Sequence, residues 1–100
     1  MQRFSSFAEF YPFYLGEHRQ RATRRLHFLG SGLSLVSLAA LFATKNPWWI
    51  LAALACGYGF AWLSHMTVEK NRPATFTYPL YSFMGDWVMF WEMLTGKIAF

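Results

Sequence analysis

Two long apolar runs dominate the chain, and they predict two helices that cross a membrane. The first run, 28–43, lies inside a predicted helix over 23–44, and its flanking residues bring it close to the ~20 residues that a bilayer requires. The second, Pro47–Met66, carries no formal charge and has tryptophans near both ends, as membrane-crossing helices do. A Lys-Asn-Pro turn joins the two helices.

Less regular segments flank these runs. Residues 6–17 begin with a Ser-Phe-Ala-Glu capping box and contain Pro12, which predicts either two short helices or one kinked helix at the interface. An Asn-Arg-Pro helix stop at 71–73 precedes a third apolar helix, 80–94, which Pro79 opens and which either crosses the membrane or lies shallow in it. We therefore predict an all-α fold, a compact membrane bundle of about four helices that forms a single domain over residues 1–100.

The second apolar run has a stripe of small residues on one face. Ala53, Gly57 and Ala61 are spaced by four, and small residues at this spacing let a neighbouring helix approach closely. Continued by fours, the stripe reaches His65 and Glu69. The face that packs against another helix is therefore expected to lead into these two polar side chains.

The composition supports a membrane protein. Of the 100 residues, 55% are hydrophobic and only 14% are charged, which is too apolar for an ordinary soluble domain of this size. The net charge is +4, and a cluster of arginines precedes the first apolar run. The cluster comprises Arg3, Arg19, Arg21, Arg24 and Arg25. Nucleic acid could use such a cluster, but a position beside a membrane helix favours retention on the cytoplasmic side or contact with lipid head groups. We expect a membrane and no nucleic acid as the partner.

The only three histidines, His18, His27 and His65, all lie where apolar helices meet water. Neutral imidazoles suit iron, zinc and copper, and two or three of them with one carboxylate are typical of non-haem Fe(II) oxygen chemistry. Glu69 lies four residues after His65 and is the candidate carboxylate, although such a pair on a helix is also typical of a local hydrogen bond. A metal site at the membrane surface is the resulting prediction.

One site can use both His18 and His27 only if the chain bends between them. The two are nine residues apart, or about two and a half turns of a straight helix, and would point to opposite faces. Gly16 and Thr23 offer a break and a new N-cap. A shared ion requires the three imidazoles to converge within ~10 Å, since each ligand atom lies ~2 Å from its metal.

Further polar groups near these residues are candidates for substrate contacts. A negatively charged head group could bind Arg24, Arg25 or Arg72, although a solvated or lipid-facing positive face explains the same residues. Asp86 and Glu92 interrupt the last apolar helix, and charges at such depth usually face a protein interior or a site. An aromatic stripe also ends at the first histidine and is read either as an interfacial anchor or as a substrate wall. The stripe consists of Phe7, Tyr11, Tyr14 and His18.

Three motifs carry a resemblance to a known family. They are Phe10-Tyr11-Pro12-Phe13-Tyr14-Leu15-x-x-His18, Arg25-Leu26-His27-Phe28-x-Gly30 and Gly57-Tyr58-x-x-Ala61-Trp62-x-x-His65-x-x-x-Glu69-Lys70-Asn71-Arg72-Pro73-Ala74. In these motifs the chain resembles the Mpo1-like family of small membrane proteins, over nearly its whole length. The resemblance implies an Fe(II)-dependent dioxygenase that uses O2 to shorten 2-hydroxy fatty acids by one carbon.

The resemblance also implies site residues. His18, His27 and His65 would bind Fe(II), and Glu69 would either bind it as well or orient an imidazole. Glu69 and Arg72 are the predicted catalytic residues, and the substrate is a lipid-like 2-hydroxy acid. Asp86 lies outside the motifs that carry the resemblance, so no role is transferred to it.

Two other classes remain open from the sequence. A non-catalytic membrane scaffold or subunit would place its histidines at the interface without a metal, and a haem-binding protein would use two of them as axial ligands, although no Cys-x-x-Cys-His motif is present. For either an enzyme or a scaffold we expect an integral membrane protein. Its site would lie on the cytoplasmic side of a bacterial inner membrane or of the endoplasmic reticulum.

Overall fold

The computed structural model describes residues 3–100, which form four α-helices and no strand. The helices are α1 (Phe7–Gly16), α2 (Arg21–Thr44), α3 (Trp48–Ser64) and α4 (Pro79–Leu94). A π-helical turn, His65–Glu69, extends α3, and a 3₁₀ turn, Ala74–Phe76, precedes α4. The prediction of an all-α bundle of about four helices is confirmed.

The capping box begins α1 as the sequence predicts. The Ser6 side chain accepts a hydrogen bond from the backbone N–H of Glu9 at 3.2 Å, and the Glu9 carboxylate reaches back to the backbone N–H and hydroxyl of Ser5. Of the two expected outcomes at Pro12, the structure shows one helix that includes the proline. Pro12 lacks the N–H that would bond the carbonyl of Ala8, and the surrounding helix tolerates this single loss.

The first long helix begins two residues earlier than predicted. Gln20 rather than Thr23 is the N-cap of α2, so Thr23 lies within the first turn. The helix ends at Thr44 as expected, where Lys45 adopts a left-handed conformation with φ of 58° and donates its N–H to the Leu41 carbonyl. The Asn46 side chain then accepts from the backbone N–H of Trp48 at the start of α3.

Small residues let α2 and α3 approach closely. Ser34 of α2 donates its hydroxyl to the backbone carbonyl of Ala53 of α3 at 2.8 Å. A Cβ placed on Gly30 would lie 2.6 Å from the Cys56 carbonyl oxygen, so the backbones nearly touch there. The predicted small-residue stripe on α3 therefore packs against α2, and it positions the C-terminal end of α3 beside the start of α2.

Two helical stretches, Arg21–Thr44 and Trp48–Glu69, are long and apolar enough to cross a membrane. Less than a third of either apolar window is buried inside the protein. Large side chains such as Val36, Phe42 and Leu51 are more than half exposed. An outward-facing apolar surface of this kind is typical of a lipid-facing helix and atypical of the core helix of a soluble protein.

The short helix α1 packs on α4 through an aromatic and methionine core. Phe10 and Tyr14 are fully buried and contact a cluster that includes Met89 and Met93. At the edges of this contact, two tyrosine hydroxyls of α1 donate to two carboxylates of α4. The pairs are Tyr11 with Glu92 and Tyr14 with Asp86. The acids of α4 therefore face the protein, as the sequence predicts for charges at such depth.

The close contact at Gly30 gives a prediction about stability. We expect Gly30→Ala to destabilise the protein by about 1–3 kcal/mol, because the new methyl group meets backbone that cannot move aside. Gly59→Ala is the matched control, since a Cβ there has nothing within 4 Å and alanine favours the helix by about 1 kcal/mol. Thermal unfolding in detergent micelles measures both. Equal midpoints for the two variants would contradict the close approach.

Candidate metal centre

Three separate elements bring the histidines together. His18 follows the end of α1, His27 lies in the second turn of α2, and His65 opens the π-helical turn after α3. The Nε2 atom of His18 is 3.0 Å from the Nε2 atoms of both other rings, and the three ligand atoms lie within 4.8 Å of one another. All three side chains are buried. The predicted convergence is confirmed, and the chain bends between His18 and His27 as one shared site requires.

The far side of each ring fixes its orientation. Nδ1 of His18 donates to the Tyr14 carbonyl at 2.6 Å, and Nδ1 of His27 donates to the Thr23 carbonyl at 3.0 Å. A carbonyl oxygen only accepts, so Nδ1 holds the proton in both rings. Each Nε2 is therefore left with a lone pair, and that lone pair faces the other two histidines.

An asparagine has the same role for His65. Nδ1 of His65 lies 2.6 Å from the side-chain oxygen of Asn71. The amide nitrogen of Asn71 donates to both the backbone carbonyl and the carboxylate of Glu17, which fixes the amide with its oxygen towards the ring. The third Nε2 is thus also unprotonated. Asn71 reaches this place because Lys70 adopts a left-handed conformation, with φ of 57°, directly after the π-helical turn.

The donor set fits a transition-metal ion. Burial and the nearby His27 hold the pKa of His18 well below its usual value, so its ring is neutral at neutral pH, the form that binds metals. Three lone pairs aimed at one point would repel one another without a cation between them. Two Nε2 atoms that are 3.0 Å apart are close enough for both to bind one ion at ~2.1 Å.

Glu69 lies beside these histidines but has other partners. One carboxylate oxygen accepts hydrogen bonds from the backbone N–H of Gln20 and from the hydroxyl of Thr23, each at 2.7 Å. The carboxylate thus satisfies an N–H at the start of α2, where a negative charge is stabilised. Thr23 in turn offers its carbonyl to His27. Among residues 3–100, the group of metal-ligand side chains contains the three histidines and not Glu69.

The three candidate arginines differ in their surroundings. Arg25 donates to the Phe100 carbonyl at 2.7 Å and lies over the Phe100 ring, and the Arg72 guanidinium lies 5.3 Å from the centre of the Phe76 ring. Arg24 donates to the carbonyl of His18 through one terminal nitrogen, while its Nε is buried without a hydrogen-bond partner in the described part of the chain. Arg24 is therefore the arginine beside the site that retains an unused donor.

The histidines open into a narrow crevice. Its remaining walls come from α3, the following loop and α4. They are Tyr58, Ala61, Trp62, Pro73, Thr75, Ser82 and Asp86. The histidine cluster therefore borders a crevice of about 10 Å³, and the other residues that line it include a hydroxyl and a carboxyl group.

Tyr14 links this crevice to α1. Its ring stacks on His18 with 4.0 Å between ring centres, and its hydroxyl donates to Asp86. On α4, a Cβ at Gly85 would lie 2.9 Å from the Tyr14 ring, so only glycine leaves room for the tyrosine. Burial raises the pKa of Asp86 to about 7, against the opposing effect of the Tyr14 hydrogen bond. Burial also raises the pKa of Tyr14, which stays protonated as the donor.

Sequence reasoning missed three residues that hold this site. Thr23 was expected only as an N-cap, Tyr14 only as part of an aromatic stripe, and Asn71 only as part of a helix stop. Their roles depend on contacts between elements that are distant in sequence. For Asn71 the only local signal is its position in the His-x-x-x-Glu-Lys-Asn-Arg-Pro motif.

The fold and the site together define a small helical protein with a buried cluster of three histidines that could hold a metal ion. The model of the Mpo1-like family, described as 2-hydroxy-palmitic acid dioxygenase Mpo1-like, matches residues 4–98. The chain therefore belongs to the Mpo1-like family. Among curated proteins and among solved structures, none matches the chain.

Metal binding should depend on every histidine. We expect His65→Ala to weaken the binding of a divalent transition metal more than 100-fold, because loss of a ligand costs more than the 10–100-fold of a lost supporting contact. Met66→Ala is the control, since Met66 is the exposed neighbour in the chain. Metal analysis of anaerobically purified protein measures both. Full metal content in His65→Ala would contradict the site.

Glu69 could act as a metal ligand or could orient His27 through Thr23, and substitutions distinguish these two roles. If it orients His27 through Thr23, then Glu69→Ala, Thr23→Val and the double variant should each weaken metal affinity by about 10–100-fold, without additivity. Thr67→Val is the control, because that hydroxyl donates only to the Leu63 carbonyl within the helix. Chelator competition gives the affinities. A direct ligand role would instead leave Thr23→Val close to the wild type.

Proposed function

We propose that this protein is an Fe(II)-dependent dioxygenase that converts 2-hydroxy fatty acids into acids one carbon shorter. The observation that carries the proposal is the convergence of three unprotonated Nε2 atoms in a buried cluster that borders a narrow crevice. The description of the family as 2-hydroxy-palmitic acid dioxygenase Mpo1-like supports the substrate class and the reaction.

The reaction is balanced with O2 as the oxidant. An acid R–CH(OH)–COOH and one O2 give R–COOH, CO2 and water, so that the bond between C1 and C2 breaks and four electrons pass to oxygen. Fe(II), when bound by His18, His27 and His65, supplies the template and the electrons that make O2 reactive towards the acid. The protein supplies orientation, electrostatics and exclusion of water.

The chain's own residues set up this chemistry. The Tyr14 and Thr23 carbonyls and the Asn71 amide hold the three Nδ1 protons, which keeps each Nε2 available as a ligand. Glu69 acts through Thr23 and is the positioning residue of His27. Arg24, with its unused buried donor, is the best placed of the three arginines to neutralise the substrate carboxylate. Arg25 and Arg72 are further candidates for neutralising the substrate carboxylate. For Arg72 this would be its catalytic role.

The membrane fits a substrate of this class. A long-chain acid dissolves in the bilayer, and the two helices that are apolar enough to cross it carry His27 and His65. We place the protein as an integral membrane protein with the site on the cytoplasmic side, because the arginine cluster begins α2 at the same end. The compartment is the inner membrane of a bacterium or the endoplasmic reticulum of a eukaryote.

The direct test is turnover by purified protein. Fe(II)-loaded protein in lipid vesicles should consume one O2 for each 2-hydroxyhexadecanoic acid converted to pentadecanoic acid, with C1 released as CO2. Hexadecanoic acid without the hydroxyl should not react. His27→Ala should abolish turnover because it removes a metal ligand, whereas Met66→Ala should retain it. Full activity in His27→Ala, or no iron in active protein, would contradict the proposal, and metal-free wild-type protein would favour a non-catalytic scaffold.

A further inference from the structure

The crevice at the histidines adjoins a larger apolar cavity. This cavity of about 190 Å³ lies between α2, α3 and α4. Tyr58 and Asp86 line both spaces, so they form the boundary between them. From Tyr58 the cavity extends about 12 Å along α3 to Ile50, in the direction that leads away from the histidines. Leu38 and Trp87 contribute apolar walls from the other two helices.

Two tyrosine–carboxylate pairs join α1 to α4, and the two carboxylates differ in their other surroundings. Glu92 accepts from Tyr11 just as Asp86 accepts from Tyr14. Glu92, however, pairs further with Lys97 and lines neither the crevice nor the cavity. Asp86 lines both, and the only hydrogen bond it has within the described residues uses one carboxyl oxygen. Its second oxygen is left for a ligand in the crevice.

We infer that the crevice and the cavity form one binding path for a single-chain 2-hydroxy acid, in which Asp86 accepts the hydrogen bond of the 2-hydroxyl and the cavity holds the hydrocarbon chain. The inference rests on the proposed function for the substrate class. The unused carboxyl oxygen of Asp86 is an acceptor and therefore matches a hydroxyl donor. A site that bonds a substrate hydroxyl also rejects the analogue that lacks it.

The proposed hydrogen bond between Asp86 and the substrate's 2-hydroxyl is tested by measuring binding affinities. Affinities of Fe(II)-loaded protein for 2-hydroxyhexadecanoic and hexadecanoic acid are measured without O2, through the fluorescence of Trp62 in the crevice and Trp87 in the cavity. We expect Asp86→Ala to lower the preference for the hydroxylated acid about tenfold or more. Glu92→Ala is the matched control, because it also removes a tyrosine partner on α4, and its preference should not change.

Asp86→Asn provides a second test in case the alanine variant does not fold, because the asparagine side chain keeps an acceptor for the Tyr14 hydroxyl. It should lower the same preference about threefold or more, since a neutral amide forms the weaker hydrogen bond. A wild-type preference in Asp86→Asn, or an equal loss in Glu92→Ala, would overturn the role of Asp86.

The position of the substrate's hydrocarbon chain is tested by substitutions at two residues of α3, one of which lines the cavity and the other an outer groove. Gly57 lines the cavity, and a Cβ there meets only Ser34 at 3.6 Å, so Gly57→Leu fills the cavity without a backbone clash. We expect it to reduce turnover of the 16-carbon acid about tenfold relative to 2-hydroxybutanoic acid, because only the long-chain acid must place its hydrocarbon chain in the cavity beyond Tyr58. Gly57→Ala should keep the wild-type profile. Ala55→Leu, which lines a wider and more open groove on the other side of Tyr58, should also keep it.

The outcomes separate this inference from the proposed function. Active, iron-loaded protein whose chain-length profile changes with Ala55→Leu and not with Gly57→Leu would overturn the cavity as the chain site. Wild-type protein that turns over no 2-hydroxy acid would remove the proposed function. If that inactive protein still showed the Asp86-dependent preference, the binding path would stand.

Discussion

The orientation of three imidazole rings is the constraint on which the rest of this structure depends. Each Nδ1 proton is held by an oxygen, and each Nε2 lone pair is thereby directed at the same small volume. Such an arrangement is unfavourable without a cation, so the surrounding helices must hold the rings in place. The bend between α1 and α2, the π-helical turn after α3 and the reversal at Lys70 each position one ring or its acceptor.

The helices can hold the rings because they approach closely where side chains are small. Serine, glycine and alanine along α2 and α3 bring the two backbones together, which sets His27 and His65 at matching depth. Gly85 does the same between α4 and Tyr14, whose ring supports His18 from the other side. The polar cluster is therefore supported by van der Waals contact, in a protein whose outer surface is largely apolar.

The sequence was sufficient for the helices and for the convergence of the histidines. Hydropathy located α2, α3 and α4, and the placement of every histidine at the end of an apolar run implied a common depth. The partners of Glu69 could not be predicted from the sequence, because a spacing of four from His65 implies a shared helix face only in an α-helix. The chain instead forms a π-helical turn there, which changes the angle between side chains four apart, and the carboxylate bonds the start of α2. Contacts such as that of Asn71 follow from a backbone reversal, which no periodicity signals.

The π-helical turn makes the geometry of the site depend on the number of residues between His65 and Asn71. A π turn amounts to an α-helix that accommodates one additional residue, at a modest cost in hydrogen-bond geometry. Removal of one residue from His65–Glu69 would return the segment to a regular helix. The residues that follow would then be rotated relative to His65, and Asn71 would lose its place beside the His65 ring.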